Sequence, residues 1–241
     1  MKIIFLPGIG ADWRLFRDQL QFFQKDPSRI QALVPSWPKP RTDEGLSDYA
    51  KRWIEQDASL FNDDFCLVGM SFGGQVAIDL ARWSHPQALF LISSYRKGSE
   101  IPTAFKLQAK LAQTLPDQVI RLGLTTIGMS TICAQESLHS NQENDLRAMA
   151  SETDLKFFRW SVKAAAEWKN PLALTELPCP TFQIRGQSDS IIQLSKSELE
   201  SDVVQLETGH HLIQYTHAEE VNQWIEENLQ AVCSSGQRRI I

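Results

Sequence analysis

The chain has 241 residues, 42% of them hydrophobic and 22% charged, with a formal net charge of −5. That length suffices for one α/β domain with its own core. The acidic balance and the lack of any long basic run argue against nucleic acid or an anionic membrane surface as a partner.

Residues 1–10, MKIIFLPGIG, hold too short an apolar run for a signal peptide. No window approaches the ~18 apolar residues of a membrane span. Cys66, Cys133, Cys179 and Cys233 show no paired metal-type spacing. They are expected to be reduced packing residues in a cytoplasmic protein. The short basic QRR at 237–239 reads as a loose tail.

In chain order, KIIFLPG (2–8) reads as a buried strand ended by Pro-Gly. Over 11–25, Trp13, Phe16, Leu20 and Phe23 recur at helical spacing, and Pro27 stops the pattern. A second strand is expected at 29–35, followed by a Pro-rich loop. A helix over 46–56 carries Leu46, Ala50, Trp53 and Ile54 on one face. The strand DFCLVGM then runs straight into a helix over 73–83. Strands at 88–94, 180–186 and 202–209 and a helix at 217–230 complete the pattern. Strands alternating with helices predict a mostly parallel sheet of about six strands, covered on both faces. Ligands of such sheets sit at the carboxyl ends of the strands.

The alternation fails between about 97 and 172, where the sequence is helical throughout. This stretch reads as a helical insertion over the strand ends, with 1–96 and 173–241 as the core. Ordinary covering helices are the alternative.

Gly69-Met70-Ser71-Phe72-Gly73 matches G-x-S-x-G in the required context of strand, sharp turn and helix. A serine at such a corner sits on strained backbone with its hydroxyl exposed, and small neighbours let strand and helix pass close by. The N–H of Phe72, at the start of the helix, would face a developing oxyanion. The alternative is a plain Gly-rich turn. Asp189 follows the fifth strand, and His210 and His211 follow the sixth. The order Ser71, Asp189, His211 is that of a Ser…acid…His triad. Asp189 also suits a turn or helix cap. Gly8 and Gly10 free the backbone after the first strand, making the Ile9 N–H a second oxyanion candidate. No Gly-Lys-Ser/Thr or G-x-G-x-x-G follows there, which excludes a P-loop or dinucleotide reading.

On FLPGIGADWRLF, LSDYAKRW, LVGMSFGGQVA, LPCPTFQIRGQSDSII and TGHHLIQYTHAEEVNQWI, the chain resembles the α/β-hydrolases over nearly its whole length. It looks like the lidded, esterase-like branch that includes carboxylesterases and meta-cleavage C–C hydrolases. The resemblance implies Ser71 as nucleophile, His211 as general base, Asp189 as its orienting acid, and the amides of Ile9 and Phe72 as the oxyanion hole. His211 is favoured over His210 because relatives place Pro or Ala seven residues after the base, and Ala218 stands there. Neither a metal nor an organic cofactor is implied. Three departures stand out. Pro7 replaces the usual His before Gly8, the N-terminal strand pair of larger relatives is missing, and the acid-to-base gap is short. Glu100, past the fourth strand, is the other place for an acid.

The implied activity is hydrolysis of a carboxylic ester of a small, largely apolar molecule through an acyl-enzyme on Ser71. A serine at this corner argues against dehalogenase and epoxide hydrolase chemistry, which place a carboxylate there. Thioesterase, C–C hydrolase, perhydrolase and lyase chemistry use the same machinery, and a non-catalytic small-molecule receptor is the alternative of another class. Phe157, Phe158 and Trp160 are candidates for the wall of an acyl pocket or for core packing.

Overall fold

A computed structural model describes residues 1–170, 173–192 and 203–236. The QRR tail, residues 171–172 at the end of the expected insertion, and residue 202 of the expected sixth strand lie outside the described residues. The described residues form six strands: β1 Lys2–Leu6, β2 Gln31–Leu33, β3 Phe65–Met70, β4 Ala88–Ile92, β5 Thr181–Gly186 and β6 Val203–Leu206. They pair in the order β2-β1-β3-β4-β5-β6, and every pairing is parallel.

Alternation along the strands builds two cores. Ile3 and Phe5 of β1, Cys66 and Val68 of β3, and Phe90 of β4 face one side, with the helices α1 (Arg17–Phe23) and α10 (Ala218–Gly236). Ile4, Leu6, Leu67 and Leu89 face the other, with α2 (Leu46–Gln56), the short α3 (Ala58–Phe61) and α4 (Phe72–Ser84). The central strands are buried on both faces, which explains their unbroken apolar sequences. From β1 the chain first winds outward to β2, then returns to β3 on the other side of β1. The switch in winding direction opens a crevice between the carboxyl ends of β1 and β3.

Between β4 and β5 lie α5 (Thr103–Thr114), α6 (Asp117–Gly123), a π-helical turn at Leu124–Gly128, α7 (Met129–Gln135), α8 (Ser140–Glu152) and α9 (Leu155–Glu167). They are tied to the sheet domain by specific bonds. Trp168 Nε1 donates to Asp79 Oδ2 at 2.9 Å, Trp160 Nε1 to the Glu44 carbonyl at 2.8 Å, and Thr153 Oγ1 to the Gly10 carbonyl at 3.2 Å. No helix among the described residues is long and apolar enough to cross a membrane.

Some local expectations need correction. The 11–25 segment is not one helix: Asp12 caps a 3-10 turn at Trp13–Phe16, and α1 starts only at Arg17. Trp13 leaves the buried face and is exposed, beside the Arg17 guanidinium. The run 143–168 breaks at Thr153–Asp154, where the Asp154 carboxylate takes the N–H groups of Lys156 and Phe157 and starts α9. Cys66 and Cys179 are buried and Cys133 is half-buried, but Cys233 is exposed.

Candidate active site

Ser71 is the single residue between the end of β3 and the start of α4. Its backbone lies at φ 54°, ψ −120°, a conformation that a residue with a Cβ adopts only under strain. The surroundings enforce it. The Ser71 N–H donates to the Ile92 carbonyl at 3.0 Å, and the Ser71 carbonyl accepts from the Gly74 N–H at 2.9 Å and from Ser94 Oγ at 2.7 Å. Tight packing explains the flanking glycines. A methyl on Gly73 would overlap the Leu6 carbonyl of β1, and one on Gly69 would come within 2.5 Å of the Gly73 carbonyl oxygen.

Asp189 and His211 are brought together from the ends of β5 and β6. His211 Nδ1 lies 3.0 Å from Asp189 Oδ2 and 3.1 Å from Oδ1. Both residues are buried. Asp189 Oδ1 also accepts the N–H groups of Ile191 and Ile192, at 2.9 Å each. The turn-forming role allowed by the sequence and the pairing with histidine are therefore both realised. Burial pushes the Asp189 carboxyl up, but the His211 hydrogen bond and charge, with the Ile192 and Ile191 N–H groups, outweigh it. The net result lies below the usual carboxylate range, so Asp189 is ionised at neutral pH. Tyr95 Oη and Arg185 Nη2 hold the same loop through the carbonyls of Ile191 and Ile192.

The neighbouring candidates are placed elsewhere. His210 is bonded through Nδ1 to the Ser188 carbonyl at 3.2 Å, and among the described residues no hydrogen bond joins it to Asp189. Glu100 is engaged with Arg96 in a buried pair at 2.9 Å.

Ser71, Ile9, Phe72 and His211 all line one cavity of about 900 Å³. Phe72 is the first residue of α4, so its N–H has no acceptor within the helix. Among the described residues no hydrogen bond joins Ser71 Oγ to His211, whose Nε2 is the nitrogen left for the cavity. A catalytic bond of this kind often tightens only with substrate bound.

The family model described as Alpha/beta hydrolase family matches residues 3–224. The chain belongs to the alpha/beta hydrolase family. Solved structures of the same fold match at low sequence identity. A thermophilic esterase from Thermogutta terrifontis superposes with a TM-score of 0.77 at 18% identity, covering 96% of this chain and 90% of that one. MenH from S. aureus gives 0.76 at 16% identity, covering 96% and 94%. An epoxide hydrolase from Bacillus megaterium gives 0.69 at 15% identity, covering 95% and 93%. At these identities the likeness establishes the fold alone. No curated protein matches the sequence.

The cavity walls of this alpha/beta hydrolase come from both parts of the chain. Beside the strand ends stand Phe105 of α5, Met129 of α7, Met149 of α8, and Phe158 and Val162 of α9. Of the three aromatics singled out in the sequence, Phe158 lines the cavity. Phe157 stacks on Trp37 at 5.6 Å, and Trp160 packs on Tyr49 at 4.4 Å. The described lining residues include no Lys, Arg, Asp or Glu. Gln75, one turn along α4 from Ser71, is a buried polar side chain in that wall, and among the described residues it makes no side-chain hydrogen bond.

Sequence reading missed Glu136. It is 6% exposed, and its Oε1 accepts the N–H groups of His211 and Leu212 at 2.8 Å each. Nothing in CAQESL marks it, because its partners are backbone amides 75 and 76 positions away.

Proposed function

We propose that this chain is a serine hydrolase that cleaves carboxylic esters of neutral, largely apolar small molecules. The observation that carries the proposal is the Asp189–His211 pair, whose His211 stands in the wall of the cavity that also holds the strained Ser71. Asp189 accepts from Nδ1–H and so fixes the tautomer in which Nε2 is the base. His211 takes the Ser71 Oγ proton as the oxygen attacks the ester carbonyl carbon. The carbonyl oxygen becomes an oxyanion facing the N–H groups of Ile9 and Phe72. As the tetrahedral intermediate collapses, the alkoxide leaves with the proton from His211, and Ser71 holds the acyl group. Water, deprotonated by His211, attacks the acyl-enzyme and releases the acid.

The cavity wall supports this substrate class. An ionised group there would lose its hydration without a charged partner among the described lining residues, at a cost on the order of several kcal/mol. A neutral ester with an apolar acyl chain carries no such cost. The helices between β4 and β5 act, in this reading, as the cover that excludes water from the acyl-enzyme.

The test is turnover of p-nitrophenyl esters from acetate to octanoate. The native protein is expected to hydrolyse them, with Ser71→Ala and His211→Ala both inactive. Turnover that persists in Ser71→Ala would overturn the proposal.

A further inference from the structure

α7 ends at Gln135, and the next residue turns extended at φ −92°, ψ 137°. These two adjacent side chains reach both loops of the acid–base pair. Gln135 Oε1 accepts from Ser190 Oγ at 2.8 Å, beside Asp189. Glu136 Oε1 takes the main-chain N–H groups of His211 and Leu212. The other oxygen, Oε2, is buried without a hydrogen-bond partner among the described residues.

A buried carboxylate with one oxygen unserved costs stability, and apolar packing would fill the same space more cheaply. What it provides is a pair of charge-assisted bonds, shorter and stronger than neutral ones, to the main chain of one particular residue. His211 is thereby held at two ends. Asp189 fixes the ring through Nδ1, and Glu136 fixes the backbone from which the ring projects. Asp189 comes from the loop after β5, whereas Glu136 comes from the helical segment after β4, so the two anchors reach His211 from different parts of the chain.

We propose that Glu136 is a positioning residue for His211, a strap from the end of α7 that sets where Nε2 stands in the cavity. The inference rests on the hydrolytic reading of the site. Glu136 touches no substrate, so its loss changes the chemical step rather than binding.

The test compares Glu136→Ala, Glu136→Asp and Glu136→Gln with the native enzyme. Ester kinetics are read beside the low-field proton resonance of the His211 Nδ1–H. A base displaced by a fraction of an ångström to an ångström predicts a fall in kcat of about 10- to 100-fold for Glu136→Ala, with KM within about threefold. The His211 resonance shifts or broadens in the same variant. The amide oxygen of Glu136→Gln accepts the same two N–H groups, and that variant returns to within about fivefold of native kcat. Glu136→Asp, one methylene too short, behaves like Glu136→Ala and decides the matter if the alanine variant does not fold.

Native kcat and an unmoved His211 resonance in Glu136→Ala or Glu136→Asp would overturn the proposal. So would a loss confined to KM, or an equal loss of kcat in Glu136→Gln. A native protein that hydrolysed no ester would instead count against the proposed function, and the resonance would still decide the role of Glu136.

Discussion

Asp189 Oδ2 lies 3.0 Å from His211 Nδ1, while Oδ1 of the same carboxylate is pinned by the N–H groups of Ile191 and Ile192. The carboxylate is thus fixed by its own loop as well as paired with the imidazole. In Asp189→Asn the amide oxygen keeps the two backbone bonds, and the NH₂ then faces Nδ1. The imidazole is driven into the wrong tautomer. By analogy with triads in general, kcat is expected to fall on the order of 10⁴-fold. KM should stay within a few-fold, since the cavity wall is unchanged. Steady-state kinetics on a neutral p-nitrophenyl ester measure both.

The same carboxylate sets a pH dependence of stability. Its folded value lies below the ordinary value, which is about 3.9 for an unfolded Asp. Its contribution is then complete above the unfolded value and is lost as pH falls through the folded one. Urea midpoints of native protein and Asp189→Asn are expected to converge as pH falls below about 4. A gap that widened on acidification would contradict this assignment.

Ser71 holds backbone strain at the corner between β3 and α4. At φ 54°, ψ −120°, a glycine is relaxed and an alanine is as strained as the serine. Ser71→Gly is expected to be more stable than Ser71→Ala by about 1 kcal/mol, the strain relieved less the extra chain entropy of glycine. Both should be inactive. Paired denaturant curves give the difference, and equal midpoints would mean that the corner is not strained.

Charge on the substrate is the sharpest discriminator for the cavity. With no Lys or Arg among the described lining residues, an acyl chain ending in a carboxylate should be turned over about 100-fold less efficiently than its methyl ester, or worse. Comparable kcat/KM for the two would show that a cation outside this wall serves the site.

Much of this site is legible in the sequence because its signals are local. Gly69-Met70-Ser71-Phe72-Gly73 lies at a strand-to-helix corner, where Gly73 is needed because α4 starts against β1, and Gly69 because the first turn of α4 folds back onto β3. Asp189 and His211 each follow a strand end, so a parallel sheet carries them to the same edge. What was hidden depends on distant partners. Glu136 bonds backbone amides, which leave no side-chain pattern to find. Trp13 fits the helical period of its neighbours, yet the Asp12 cap turns that stretch into a 3-10 helix and rotates the indole outward. Phe157 and Phe158 are adjacent and chemically alike. Only the packing of α9 against Trp37 decides which of them faces the cavity.

The central claim is that Ser71 is a nucleophile activated by His211. Labelling with an alkyl fluorophosphonate, read by intact mass and peptide mapping, tests it most directly. The account predicts a single adduct on Ser71, formed at a rate that collapses in His211→Ala and is unchanged in His210→Ala. A folded protein that stayed unlabelled, or carried its adduct on another residue, would contradict it.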